Sequence, residues 1–106
     1  MWEDFLVREA KRRREVFANI LSYLNKIKEI VNRIDPNGRV FLFGSTAKRE
    51  HTLSSDIDIL IVTEADPSIV ISSLWREGLD EPFEFHVINN EQFKTYRLLI
   101  QDINEI

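Results

Sequence analysis

The sequence predicts an α/β fold: a small mixed β-sheet with helices packed on one face and elements in the order αβ(α)βαβα. Three observations carry that prediction. An apolar stripe runs from Val16 to Ile34 in steps of three and four; three short runs are rich in β-branched and aromatic residues; and an Asp66-Pro67 helix start separates the second run from the third. With 106 residues, of which 43% are hydrophobic and 30% charged, the chain has the size and composition of one folded domain. That domain is expected to span residues 1–106, with 1–15 as the projecting N-terminal part of the first helix.

The elements follow in order. Val16, Ile20, Leu24, Ile27, Val31 and Ile34 share one face of a helix. Asp35-Pro36-Asn37-Gly38 ends it, because proline cannot continue a helix and Asn-Gly favours a turn. Arg39 to Phe43 reads as a buried strand, and Gly44-Ser45 opens a polar connection to Ser55, within which a short helix is expected. Asp56 to Val62 forms the second strand. Asp66 caps a helix with Pro67 at its first position, which runs to about Glu77. Pro82 precedes a third strand, Phe83 to Ile88, and a last helix starts at Asn90-Glu91. The tetrad Lys11-Arg12-Arg13-Arg14 covers most of a helical turn, so that turn cannot be buried dry. Trp2, Phe5 and Leu6 lie at i, i+3, i+4 ahead of it, either folded back on the domain or offered as a docking surface.

Composition removes several function classes. The absence of cysteine rules out a disulfide framework, a thiol nucleophile and a cysteine-based zinc site. No apolar stretch is long enough for a membrane span, and no secretory leader is recognisable, so a cytoplasmic location is expected. Net charge is −4, divided between a basic segment 1–34 (8 basic, 5 acidic) and an acidic segment 35–106 (6 basic, 13 acidic). Strong nucleic-acid binding is not expected of that balance.

The chemistry concentrates between Phe43 and Asp58. Alternation along a strand puts Asp56 and Asp58 on one face, with Ile57, Ile59 and Ile61 on the other. Two carboxylates on an otherwise apolar strand are costly unless a cation compensates them, and Mg2+ prefers oxygen donors of this kind. Gly44-Ser45 follows a strand, where backbone N–H groups can face an anion. On the third strand Glu84 and His86 share a face, opposite Phe83, Phe85 and Val87. Should that strand lie beside Asp58, Glu84 completes a carboxylate triad that ligates metal or accepts a hydroxyl proton.

Gly44-Ser45, nine residues, then Ser55-Asp56-Ile57-Asp58 resembles the minimal nucleotidyltransferases of the DNA polymerase β superfamily, over roughly residues 10–100. The resemblance implies a polymerase β palm-like fold and transfer of a nucleoside monophosphate, AMP from ATP, to a hydroxyl acceptor. It implies two Mg2+ ions on Asp56, Asp58 and Glu84, with ATP as substrate and its triphosphate held by the Gly44-Ser45 turn; Lys48, Arg49 and Ser55 are further candidates for phosphate contact. Arg49 stands where the family often has glycine, and is expected either to add a phosphate contact or to mark weakened activity. Glu84 stands where aspartate is commoner. His51 and His86 are candidates for base stacking or phosphate contact. Acceptor choice is expected to come from a partner: a HEPN-type toxin protein modified on tyrosine, or a second copy in a homodimer. The alternative is a non-catalytic nucleotide-binding antitoxin or regulatory module that acts by protein–protein contact. A small-molecule nucleotidyltransferase would need a homodimer to complete its cleft.

Overall fold

A computed structural model describes residues 2–43, 56–100 and 102–106. Helix α1 (Trp2–Ala18) leads into α2 (Ile20–Ile34), followed by strands β1 (Arg39–Phe43) and β2 (Ile57–Val62). Helix α3 (Pro67–Arg76), β3 (Phe83–Ile88), α4 (Asn90–Leu99) and β4 (Ile103–Glu105) complete the order. The sheet runs β3-β2-β1-β4, with β2 and β3 parallel and the other pairs antiparallel. It is the mixed sheet the sequence predicts, with two departures in its elements and a third in its packing: the helices do not all lie on one face, because α4 carries Phe93 onto the opposite side.

The first departure is the single helix expected through residue 16, which is two. At Asn19 the side chain and the backbone N–H both donate to the Glu15 carbonyl, each at 3.0 Å, and φ/ψ moves to −119/32. An asparagine that bonds back to the preceding turn offers the backbone an alternative to helix continuation, and the axis restarts at Ile20. The second departure is β4, which no sequence signal announced. Three residues are too few for a period, and Asn104 and Glu105 are poor strand formers. It forms because β1 supplies an edge, and Arg39 grips Glu105 with two hydrogen bonds of 2.8 and 2.9 Å.

The helical face of the sheet holds the larger core. Val40, Ile57, Ile59, Ile61 and Phe83 meet Leu24, Ile27 and Val31 of α2, Val70 and Leu74 of α3, and Val16 of α1. On the opposite face Phe41, Leu60, Val62 and Ile88 are covered by Phe93 of α4, with the Phe41 and Phe93 rings 4.8 Å apart. β2 is therefore buried on both faces, and Asp58 is its one residue that is not fully buried.

Caps fix where the helices begin and end. Asp66 accepts from the Ser68 N–H at 2.9 Å with Pro67 at the first turn, as the sequence indicates. At the other end of α3, Leu79 N–H donates to Leu74 O and Gly78 N–H to Trp75 O, a Schellman closure that needs the left-handed φ of +82° at Gly78. Arg12 then donates to the Gly78 carbonyl at 2.9 Å, pinning α1 to this turn. The basic tetrad is thus not simply a solvated face.

The turn after α2 is held by a half-buried polar contact. Thr63 Oγ1, just beyond β2, donates to Asp35 Oδ2, and Asn37 N–H donates to Asp35 Oδ1 at 3.0 Å. The Thr63 hydroxyl, and next the Asn37 amide, hold the Asp35 carboxyl below its usual range. A lowered folded pKa stabilises the fold above the unfolded carboxylate value, about 3.9, and that stability is lost as pH falls through the folded value. Thr63→Val should cost about 1–2 kcal/mol near neutral pH. Urea denaturation across the acid range should show the gap to wild type closing below about pH 4. Gly38 admits no side chain: a Cβ there would sit 2.8 Å from Val31 Cγ1 and 3.1 Å from Asp35 O. Gly38→Ala should therefore destabilise by about 1–3 kcal/mol, read from the same denaturation midpoint.

Candidate active site

The register of the parallel pair builds the site. Asp58 of β2 is the direct partner of Glu84 on β3, and on its other side Asp58 faces Phe43 of β1. Side chains in register across neighbouring strands share a face, so Asp58, Glu84 and Phe43 project together, and His86 joins them two residues along β3. This is the face that α4 covers only toward the Leu60 and Val62 end. Beyond that cover a carboxylate on the central strand reaches solvent, and Asp58 is 27% exposed.

The three polar groups converge. His86 Nε2 lies 3.5 Å from Asp58 Oδ1 and 3.7 Å from Glu84 Oε1. One donor atom from each residue falls within 4.8 Å of the others. Nε2 is shielded from solvent and, among the described residues, makes no hydrogen bond, although the carboxylates are close. Phe43 meets the imidazole edge-on, with ring centroids 5.3 Å apart at 72°, which limits how the ring can turn. Two carboxylates and an unsatisfied imidazole nitrogen form a donor set suited to a divalent cation.

Asp56 is placed differently. It precedes β2 by one residue, and its Oδ1 lies 3.7 Å from Arg13 Nη2 of α1. The same guanidinium is 3.8 Å from Glu81 Oε2. The structure thus brings Asp58 and Glu84 together with His86, and sets Asp56 against an arginine. Gly44, Ser45, Lys48, Arg49, His51 and Ser55 lie outside the described residues, as does the short helix expected there. Their flanks are fixed: Phe43 pairs with Asp58, and Asp56 is one residue from β2.

Two features escaped the sequence reading. His86 belongs with the carboxylates, and the Glu84-Phe85-His86 alternation already carried that signal by putting both polar residues on one face. Arg13 reaches the site from α1, and no pattern in its basic tetrad marks one arginine out. A cleft of about 390 Å³ opens at the far end of β2 and β3, lined by Glu64, Asp66, Asn89 and Gln92 among others. Its acidic groups are engaged, Glu64 with Asn90 and Asp66 with Ser68, and they would repel a triphosphate. The carboxylate cluster is the better candidate.

Comparison with known proteins bears on the family and the fold. No curated protein matches the chain in sequence. A crystal structure whose nucleotidyltransferase function is itself an inference matches with a TM-score of 0.63 at 25% identity, over 77% of this chain and 95% of its own. A second, from Sulfolobus solfataricus and inferred to be a nucleotidyltransferase, matches with a TM-score of 0.61 at 22% identity, over 92% and 85%. This second likeness speaks for the fold. Residues 24–106, most of the chain, match the family model described as Nucleotidyltransferase domain. The chain belongs to the nucleotidyltransferase domain family, as its resemblance to the minimal members of the polymerase β superfamily implies.

Proposed function

We propose that the protein transfers a nucleoside monophosphate, AMP from ATP, to a hydroxyl acceptor and releases pyrophosphate. The observation that carries this reading is the registered pair Asp58–Glu84 at the uncovered end of the central strand. The acceptor oxygen forms a bond to the α-phosphorus while the bond from that phosphorus to the bridging oxygen breaks, and pyrophosphate leaves with the electron pair. Glu84, 54% exposed, would take the hydroxyl proton. Asp58, Glu84 and Asp56 would hold two Mg2+ ions, Asp56 after leaving Arg13. Bound there, Mg2+ would neutralise triphosphate charge and make the hydroxyl easier to deprotonate. Gly44, Ser45, Lys48, Arg49 and Ser55 would position the phosphates, since phosphoryl-type chemistry is mostly positioning and electrostatics.

The acceptor is proposed to be a protein hydroxyl, a tyrosine of a HEPN-type partner. Trp2, Phe5, Leu6 and Val7 support docking through α1: all are about half exposed or more, and all precede the family match. The second reading is a non-catalytic nucleotide-binding module. Arg13 at Asp56 favours it, because the guanidinium stands where a cation would meet that carboxylate.

Calorimetric titration with ATP and a non-hydrolysable analogue, with and without Mg2+, tests the proposal. Wild type should bind in a Mg2+-dependent manner, and Asp58→Asn should lose at least about tenfold in affinity while staying folded. Folded wild type that binds neither nucleotide at millimolar concentration would sink the stand-alone enzyme. Turnover on a partner, lost in Asp58→Asn, separates the enzyme from the binding module. Arg13 competes with a cation for Asp56 through a half-exposed, long ion pair worth about 1 kcal/mol. Arg13→Ala should therefore strengthen Mg2+–ATP binding by up to about fivefold in the same titration. A weakening would instead assign Arg13 to the nucleotide.

A further inference from the structure

We infer that His86 is a cation ligand, and that it raises the site's affinity for transition-metal dications above its affinity for Mg2+. The inference rests on the reading of Asp58 and Glu84 as a cation site, and adds to it the ligand that sets which ion is taken. Four observations converge on the imidazole. Its Nε2 is withdrawn from solvent and makes no hydrogen bond to any described residue, a costly state for a polar atom unless something else satisfies it. It is turned to the two carboxylates, at 3.5 and 3.7 Å, beyond the 2.7–3.2 Å range typical of N–H···O bonds. Phe43 packs against the ring and restrains it in that direction. Finally, the β3 alternation places Glu84 and His86 on the face of Asp58, so all three donors come from two hydrogen-bonded strands and none from a loop.

The spacing suits metal better than a direct ion pair. Ligands held at about 2.1 Å around a tetrahedral ion lie about 3.4 Å from one another. The Nε2–Oδ1 and Nε2–Oε1 separations come within a few tenths of an ångström of that edge, while the three donors together lie within 4.8 Å, so the carboxylates would close in on a bound ion. An imidazolium bonded to either carboxylate would be drawn closer than 3.5 Å, as charge-assisted hydrogen bonds are.

Chemistry then sets the preference. Mg2+ is a hard ion that favours oxygen and gives up water reluctantly, whereas imidazole suits zinc, copper, iron and nickel. Affinity along the first-row series rises from Mn2+ through Co2+ to Cu2+, so one nitrogen among oxygens widens the gap to Mg2+. The carboxylates alone serve either kind of ion. His86 is the specificity-determining residue, and the class of ion is a borderline-soft dication such as Co2+ or Zn2+.

Co2+ and Mg2+ titrations of the whole chain, by calorimetry and by the visible absorption of Co2+, test this without relying on activity. Wild type should bind Co2+ at least about tenfold more tightly than Mg2+ and give a nitrogen-ligated Co2+ spectrum. His86→Gln should lose about tenfold or more of the Co2+ affinity along with that spectrum, and change Mg2+ binding less than about threefold. As a readout that needs no variant, the 15N signal of His86 Nε2 in wild type should shift on addition of Zn2+. A His86→Gln protein with unchanged Co2+ affinity, or an Nε2 signal that Zn2+ leaves in place, overturns the inference. Asp58→Asn separates the two failures. If it loses both cations while His86→Gln loses neither, the cation site stands and the role of His86 falls. If wild type binds neither Co2+ nor Mg2+, both readings fall together.

Discussion

Burial of β2 on both faces is the constraint on which the rest of the structure depends. Ile57, Ile59 and Ile61 lie under α2 and α3, while Leu60 and Val62 lie under α4. At about 1.5–3 kcal/mol for each large apolar side chain removed from water, this strand is the largest local contributor to the core. Its neighbours are arranged around it: β1 and β3 satisfy its backbone on either side, and α3 carries the chain across the sheet from β2 to β3. A carboxylate on such a strand is an exception that the packing must accommodate. It does so by leaving the Asp58 end of the second face outside the cover of α4, and the polar groups of β3 collect at that opening.

The attachment of α1 follows a different logic from that of the core. Val16 is its one fully buried residue, Phe17 packs against the core beside it, and the rest of its hold on the domain runs through arginine. Arg12 bonds the Gly78 carbonyl and lies over the Tyr23 ring, 5.5 Å from its centroid, while Arg13 lies between Asp56 and Glu81. Interactions of this kind between exposed groups contribute little each and are screened by salt. The helix is held weakly to the domain by charge, with its apolar N-terminal turns left exposed. The family match begins at residue 24, after α1, and α1 touches the site through one guanidinium.

What could be read in the amino-acid order divides along the same physical line. Periodicity disclosed α2, β2 and β3, because burial selects residues at fixed spacing. Asp66-Pro67 disclosed the start of α3, because a cap is a local device. β4 escaped because its stability comes from Arg39, 66 residues away, and from an edge that exists only once β1 has folded. Asn19 escaped because the apolar stripe continues through it: the face stays buried while the backbone breaks. Glu84 could be proposed only on condition that β3 lay beside β2, a matter of topology that alternation within one strand cannot decide. The phosphate-side residues from Gly44 to Ser55 rest on the motif alone, since they lie outside the described residues.

His86 sharpens the point about topology. Read along its own strand it is a polar residue on a half-buried face, for which solvent contact is the ordinary fate. Across the sheet, its nearest polar neighbours are two carboxylates, while Phe43 closes one side and solvent no longer reaches Nε2. The imidazole therefore meets conditions set by three strands at once, and none of them is visible from residue 86 outward. Two hydrogen-bonded strands can hold such donors more rigidly than loops can, and a rigid mixed nitrogen–oxygen set discriminates among ions by donor type as well as by charge. A substitution at Asp58 would empty the site, whereas one at His86 would leave it present but less selective.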